Sequence, residues 1–301
     1  MEQAESTRLL IIDGHAYAYR AFHAIRRLNA PDGTPTNAIY GFIKMTGKMR
    51  AFLRPSHLAV IWDGGLAQER LAEHPAYKAQ RPPMPADLES QIGQIEEYFR
   101  AEGITTLCEN GIEADDWIAT MARATAPHMH VVIASSDKDF MQLVEPRVGL
   151  LNPNDKTERI WTADDVVAKA GVRPEQIVDW LSLLGDSVDN IPGVDGIGPK
   201  TAADLLRQFA SLDQLYAGLE QVKSARLRDA LQNARDTLAR NRRLIELKVV
   251  NQTVTLDALR IGERKTDVLR ELFGRWGFKT MKAELDAANP AVPATVQQAL
   301  L

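Results

Sequence analysis

Arg8-Leu-Leu-Ile-Ile-Asp13-Gly14 decides how the rest of the chain is read. Four consecutive apolar residues run straight into an acid. So short and uninterrupted an apolar run suits a strand buried on both faces, as strands of a parallel sheet are. The arrangement recurs. Leu58-Ala-Val-Ile-Trp62 runs into Asp63, and Val131-Val-Ile-Ala134 is followed by Ser135, Ser136, Asp137, Lys138 and Asp139. Further strands are expected at 104–107 and 148–151. Helical spacing fills the gaps at 16–24, 38–53, 86–102 and 114–125. The alternation predicts an α/β fold: a mostly parallel central sheet flanked by helices.

The segment 64–85 fits neither period. It is rich in charge and proline, and connections of that length inside a domain are usually functional or mobile. From about 163 the strand signals stop and helices dominate. Residues 174–184 are apolar at helical spacing, 185–200 are dense in Gly, Pro and Asp, and a helix resumes at 201–209. The stretch 289–301 (Asn-Pro-Ala-Val-Pro-Ala-Thr and beyond) reads as a disordered tail.

Composition narrows the function. The 301 residues are 45% hydrophobic, enough for a sizeable core. One cysteine, Cys108, excludes an intrachain disulfide and fits a reducing compartment. Six scattered histidines offer no zinc spacing. No secretory leader or membrane span is expected, so the reading is a soluble, cytoplasmic protein with no membrane partner. The net charge of −4 argues against nucleic acid at face value, but bases are segregated. From Lys200 to Lys248 there are ten Lys or Arg against six Asp or Glu, and Lys44, Lys48, Arg50 and Arg54 form a shorter basic run. Taken alone, either is equally a solvated helix face.

The acids carry more. In open α/β sheets ligands bind beyond the carboxyl ends of the strands, and three strands deliver Asp13, Asp63, Asp137 and Asp139 there. Glu113, Asp115 and Asp116 open a helix, Glu113 and Asp116 sharing a face. A single such acid is as well explained by a turn or a helix cap. Four groups together repel one another, and bound divalent cations relieve that. Oxygen ligands without His or Cys favour Mg²⁺ or Mn²⁺, which suit phosphoryl chemistry. Asp186 and Asp189, three apart, would face one way on a helical turn. In Ile191-Pro-Gly-Val-Asp-Gly-Ile-Gly-Pro-Lys-Thr-Ala203, Gly193, Gly196 and Gly198 precede a helix whose first turn holds Lys200 and Thr201, a pattern that can grip a phosphate backbone. In Tyr77-Lys78-Ala-Gln-Arg81-Pro-Pro83, Lys78 or Arg81 could hold a scissile phosphate and Tyr77 stack on a base.

Taken together, Ile12-Asp13-Gly14, Trp62-Asp63, Tyr77-Lys78-x-x-Arg81-Pro-Pro-Met-Pro85, Gly111-Ile-Glu-Ala-Asp-Asp116, Asp137-Lys-Asp139 and Gly185-Asp-Ser-Val-Asp-Asn-Ile-Pro-Gly193 resemble the 5′–3′ exonuclease and flap endonuclease family, including the 5′ nuclease domain of bacterial DNA polymerase I. The resemblance implies a PIN-like α/β metal-dependent nuclease core at 1–172 with a helical arch at about 64–100. It also implies a helix–three-turn–helix DNA-binding region at 173–288. By position it assigns metal-ligand roles to Asp13, Asp63, Glu113, Asp115, Asp116, Asp137, Asp139, Asp186 and Asp189; in a two-ion mechanism Asp116 and Asp137 are the ligands expected near the bridging position. Lys78, Arg81 and Arg20 become active-site cations, and Tyr77, Gly193, Gly196, Gly198, Lys200 and Thr201 DNA contacts. The implied cofactors are two Mg²⁺, with Mn²⁺ able to substitute, and K⁺ at the 193–200 hairpin. The implied reaction is phosphodiester hydrolysis leaving a 5′-phosphate, in replication or repair. The implied partners are DNA with a 5′ end or flap, an RNA primer on DNA, and a DNA polymerase; the chain itself is expected to be monomeric. Two features depart from the family. His15 stands where serine is usual, and Asp63-Gly-Gly-Leu-Ala-Gln-Glu-Arg70 is loose. The alternatives are a non-catalytic DNA-structure-binding protein, which would usually have lost acids of the second metal set, and a nuclease of RNA in RNA–DNA hybrids. A phosphotransferase with a nucleophilic Asp would want a second Asp where His15 sits.

Overall fold

The run that opens the chain becomes β1 (Arg8–Asp13), the central strand of a five-stranded parallel sheet. β2 (His57–Trp62) and β3 (Thr105–Cys108) extend the sheet on one side, and β4 (His130–Ala134) and β5 (Val148–Leu151) on the other. The computed structural model describes residues 7–155, 159–251 and 253–288, so the tail expected at 289–301 lies outside the described residues. Helices α1 (Gly14–Ala24) and α2 (Asn37–Leu53) join β1 to β2. α3 (Gln68–Glu73) and α4 (Ala86–Ala101) join β2 to β3, and α5 (Ala114–Thr125) crosses to β4. A 3₁₀ helix, Lys138–Leu143, leads into β5.

The strand order reverses at β1. The chain builds outward through β2 and β3, then returns to lay β4 on β1's other edge. Ile12 pairs with Val60 and with Ala134, so Asp13, Asp63 and the Ser135–Asp139 turn leave the sheet at one rim. That reversal opens a crevice between the loops following β1 and β4.

Alternation along each strand divides the core into two layers. Leu9, Ile11, Ala59, Ile61, Val131 and Ile133 face one cluster, while Leu10, Ile12, Leu58, Val60, Val132 and Ala134 face the other. Each fully buried aliphatic side chain contributes roughly 1.5–3 kcal/mol. Both faces need cover, which is why the strands carry no polar alternation.

Beyond β5 come α6 (Ala163–Ala170), α7 (Ile177–Leu184), α8 (Pro199–Phe209), α9 (Leu212–Ala217), α10 (Ala225–Asn233), α11 (Arg235–Ile245), α12 (Leu256–Leu259), α13 (Thr266–Arg275) and α14 (Lys279–Ala288). Two-residue strands β6 (Gly185–Asp186) and β7 (Ile191–Pro192) form a hairpin between α7 and α8. Helices α6 to α11 share the cluster of Leu9 and Ile11 with α5. The helical region expected as one unit over 173–288 divides at this point. Leu269, Leu272, Phe273, Trp276 and Leu285 of α13 and α14 pack on the opposite face, with α2 and α4.

The arch expected over 64–100 also shrinks. α4 is a core helix, with Leu88, Ile95 and Phe99 fully buried. Its Gln91 accepts the N–H groups of Ala38 and Ile39, satisfying the start of α2 where Thr36 makes no side-chain cap. Only residues 64–85 lie across the crevice as a strap. No helix among the described residues is long and apolar enough to cross a membrane.

Gly64 begins the strap. Its N–H donates to the Ile112 carbonyl and its own carbonyl accepts from Gly111. A Cβ there would fall 1.7 Å from the Glu109 carbonyl oxygen. Gly64→Ala is therefore predicted to cost about 3 kcal/mol through overpacking. Gly47→Ala, on an open stretch of α2 with nothing within 4 Å, should gain up to about 1 kcal/mol. Thermal denaturation of both variants checks this; an unchanged melting point for Gly64→Ala would contradict the packing.

Candidate active site

Asp13 caps α1. Its Oδ1 accepts the Ala16 N–H at 3.1 Å, while Oδ2 accepts the Ser135 hydroxyl at 2.7 Å. Ser135 in turn accepts the Asp137 N–H at 3.1 Å, and Asp137 caps the 3₁₀ helix by accepting the Asp139 N–H at 2.9 Å. One hydroxyl thus joins the acid after β1 to the acids after β4. Capping and site-building are the same geometry here: the cap fixes one oxygen and turns the other into the crevice.

Asp63 is placed by the residue that departs from the family pattern. The Asp63 N–H donates to Nδ1 of His15 at 3.1 Å, and the His15 ring stands edge-on to Trp62. Burial lowers the imidazole's proton affinity, consistent with a neutral ring whose Nδ1 is free to accept. Asp63 Oδ1 accepts the Gly65 N–H.

The electrostatics are those of a site with too many carboxylates. Burial pushes the Asp13 carboxyl up to about 6 against its two hydrogen bonds, and Asp137 and Asp63 add repulsion. Burial, then Asp137, raises Asp115 well above the usual range; burial, then Asp137 and Asp115, does the same to Asp139. Asp137 is also raised, by burial and by the charges of Asp189 and Asp186. Among the described residues, no three acidic, His or Cys side chains are already closed into an ion cage. The acids instead stand apart, several of them leaning on cations. A set of oxygen donors that raise one another's proton affinity fits hard divalent ions.

The strap supplies those cations, and it changes several expected roles. Arg70, only 2% exposed, makes a bidentate pair with Asp116 at 2.6 and 2.9 Å and donates to the Leu244 and Glu246 carbonyls. The Lys248 N–H donates to Asp116 as well. Both Asp116 oxygens are therefore committed, and the bridging position expected for it does not fit this arrangement; Asp115 is the neighbour that Asp13 and Asp137 repel. Glu113 is likewise enclosed. It accepts from the Ala67 N–H, the Tyr77 hydroxyl and Lys78 Nζ, with Arg70 at 3.5 Å. These cations outweigh burial and hold its carboxyl below the usual range. Glu113 and Asp116 thus hold the strap's cations behind the crevice rather than facing it as free donors.

Lys78 lies buried between Glu113 and Asp115, with its ammonium over the Tyr77 ring. Burial would depress it, but Asp115, Tyr77 and Glu113 prevail and hold it above the ordinary lysine value. Tyr77 is only 4% exposed, so the expected base-stacking surface is here a wall of the site. Arg81, still half exposed, pairs with Asp189 at 2.6 Å. Arg20 on α1 points to the loop after β5, donating to Asn154 rather than to any acid of the crevice.

Asp186 and Asp189 do not share a helical turn; they lie on the β6–β7 hairpin. Asn190, in a left-handed conformation (φ 56°), ties that hairpin to the strap by donating to the Ala76 carbonyl and receiving His74 at its own. Gly185 and Gly193 allow it to close, since a Cβ on Gly193 would meet the Leu184 carbonyl oxygen at 2.1 Å. The expected phosphate role of Gly193 is thus not what requires glycine there. Gly196 has φ 78°, and Gly198 caps α8 with open space around it. Lys200 is exposed and Thr201 half-buried in the first turn.

Ser135, Arg70 and Lys138 were not singled out from sequence as site residues, and His15 was noted only as a departure from the family pattern. Lys138, whose Nζ lies 3.2 Å from Asp186 Oδ2, sits between two acids of a motif and was legible there. Arg70 lies in the loose stretch after Asp63 and gave no signal.

Repulsion among the acids yields a test. Asp139 has a raised pKa, so in the metal-free protein its charge opposes folding, and stability falls as pH rises through its folded-state value. In chelator at pH 8, Asp139→Asn is predicted to raise the melting temperature by about 2 °C or more, and to shrink the rise that Mn²⁺ gives the parent chain. A lowered melting temperature in chelator would show that Asp139 is structural.

The chain matches two successive family models: the 5′-3′ exonuclease N-terminal resolvase-like domain over residues 8–171, and the 5′-3′ exonuclease C-terminal SAM fold over 172–267. It is 38% identical over 286 residues to DNA polymerase I of Pseudomonas aeruginosa, covering 92% of this chain but 31% of that one. It is 40% identical over 214 residues to the 5′-3′ exonuclease of Aquifex aeolicus, covering 71% of this chain and 73% of that one. A solved structure of the bacteriophage T5 flap endonuclease with DNA and metal ions aligns with a TM-score of 0.65 at 21% identity, covering 92% and 97% of the two chains. At that identity the likeness speaks for the fold. With the two family models matching residues 8–267 in succession, this chain belongs to the 5′–3′ exonuclease family.

Proposed function

We propose that this chain is a divalent-metal-dependent 5′ nuclease that hydrolyses DNA phosphodiesters at or near a free 5′ end or flap, leaving a 5′-phosphate. The observation that carries the reading is the meeting of Asp13, Asp63, Asp115, Asp137 and Asp139 at the sheet's reversal point, opposite Asp186 and Asp189 of the hairpin. Retention of every one of these acids favours an enzyme over a non-catalytic DNA-structure-binding protein.

Asp13, Asp115, Asp137 and Asp139 would hold one Mg²⁺ and the hairpin acids a second, with Mn²⁺ able to substitute; Asp63 borders the first. Such ions supply an activated water and charge stabilisation at the leaving oxygen. The chain's own residues do the remaining work. Ser135 and the two caps keep Asp13 and Asp137 oriented, and His15 orients Asp63. Arg81 lies at the mouth and can move from Asp189 to a phosphate. Lys78, held behind the acids, supplies fixed positive charge to the crevice. The open turn at Gly198, with exposed Lys200, Lys223, Arg226 and Arg235 beyond it, would grip duplex backbone without reading sequence. K⁺ at the 193–200 turn and a polymerase partner belong to the same proposal.

The test is cleavage of an end-labelled 5′-flap duplex, alongside the same duplex with an RNA flap. The expected result is cutting in Mg²⁺, none in chelator, and a loss of about 100-fold or more in Asp137→Ala with DNA binding kept. Product length separates stepwise trimming from a cut at the junction. No cleavage of either flap by the folded protein in Mg²⁺ would overturn the reading.

A further inference from the structure

Both hairpin acids are already paired with side-chain cations. Arg81 reaches Asp189 from the strap, and Lys138 reaches Asp186 from the core side at 3.2 Å. Asp186 has little choice of partner. Its Oδ1 is taken by the Val188 N–H at 2.9 Å, which leaves Oδ2 facing Lys138. Lys138 itself starts from a fixed point, the first residue of the 3₁₀ helix capped by Asp137, but its side chain is 42% exposed on a flexible stem. Asp186 is 15% exposed. One end of the pair is therefore anchored and the other free to leave.

We propose that Lys138 is a transferable counter-ion. It occupies the Asp186 carboxylate while the hairpin site holds no metal, competes with the second divalent ion for that oxygen, and on release becomes a contact for the DNA backbone. This rests on the reading that Asp186 and Asp189 hold the second ion.

The physical case is competition for one charge. An ammonium 3.2 Å from Asp186 Oδ2 already compensates the carboxylate's charge and repels a divalent ion placed on the same oxygen, so part of the ion's binding energy goes to displacing the lysine. A phosphate placed beside the site offers the displaced ammonium a second partner, so metal at the hairpin and nucleic acid favour each other. Lys138 suits this better than Arg81 does: an ammonium is a compact point charge on a rotatable stem, with no fork to match two oxygens. It would act as a positioning residue in the metal-free protein and as a backbone contact in the complex.

Mn²⁺ titration by calorimetry, without DNA, tests the proposal on the whole chain. The parent should show two sites and Asp186→Asn one. Lys138→Met should tighten the weaker site about 3- to 10-fold and leave the tighter one unchanged; Lys138→Arg should keep the parent's weak affinity. In Ca²⁺, with a 5′-flap duplex, Lys138→Met should also bind DNA with a salt dependence shallower by about one unit. A purely structural lysine would move neither reading. Unchanged Mn²⁺ affinity in Lys138→Met, with two parental sites and one in Asp186→Asn, overturns the transferable counter-ion alone. Two full sites in Asp186→Asn overturn it together with the second-ion reading.

Discussion

Like charges placed at one rim of a parallel sheet, and partly removed from water there, are the constraint on which this molecule turns. The sheet could not avoid bringing them together. Once β4 returned to β1's free edge, the acids that end β1, β2 and β4 had to emerge side by side. Everything built around the crevice answers that repulsion. Ser135 shares its hydroxyl between two of the acids, the backbone caps take one oxygen from each, and the strap brings Arg70, Lys78 and Arg81. What remains uncompensated, seen in the raised Asp13, Asp115, Asp137 and Asp139, is what a hard cation would satisfy.

The strap is the part that ties α5, beside the sheet, to the helical region that follows it. Arg70 ties it to α5 through Asp116 and to the end of α11 through the carbonyls of Leu244 and Glu246. Arg243 with Glu73 and Lys248 with Glu69 extend the seam at the surface, where such pairs add little stability. The buried Arg70–Asp116 pair is different, since losing either partner strands a charge. Asn241 closes the far side by donating to the Ser182 and Pro192 carbonyls, which fixes α11 against the hairpin. The acids of the hairpin therefore sit at a depth set by the helical region, not by the sheet.

Much of this was legible in the residues. Short apolar runs ending in acids gave the parallel sheet and its site, because burial on both faces and a strand's carboxyl end leave unmistakable patterns. The acids' partners were not legible. Asp115 and Asp116 are adjacent and alike in sequence, yet one faces the crevice and the other Arg70, a difference set by contacts 46 and 132 residues away. The burial of Tyr77 and Lys78 was not legible, because charge and proline usually mean solvent, whereas Lys78 adopts a left-handed turn (φ 55°) and is buried against Glu113. The return of α13 and α14 to the far face of the sheet was hidden for a similar reason. Amphipathic helices show that a face is buried, not against what.

The central claim is that the acids of β1, β4, α5 and the hairpin form one cation-binding crevice. Paramagnetic broadening by substoichiometric Mn²⁺, followed in amide spectra, tests it most directly. Selective loss of the Gly14, Asp115, Ser136 and Val188 amides is expected, while Leu269 and Leu285 in α13 and α14 stay sharp. Broadening spread evenly over the acidic surface, with those four no more affected than the rest, would contradict it.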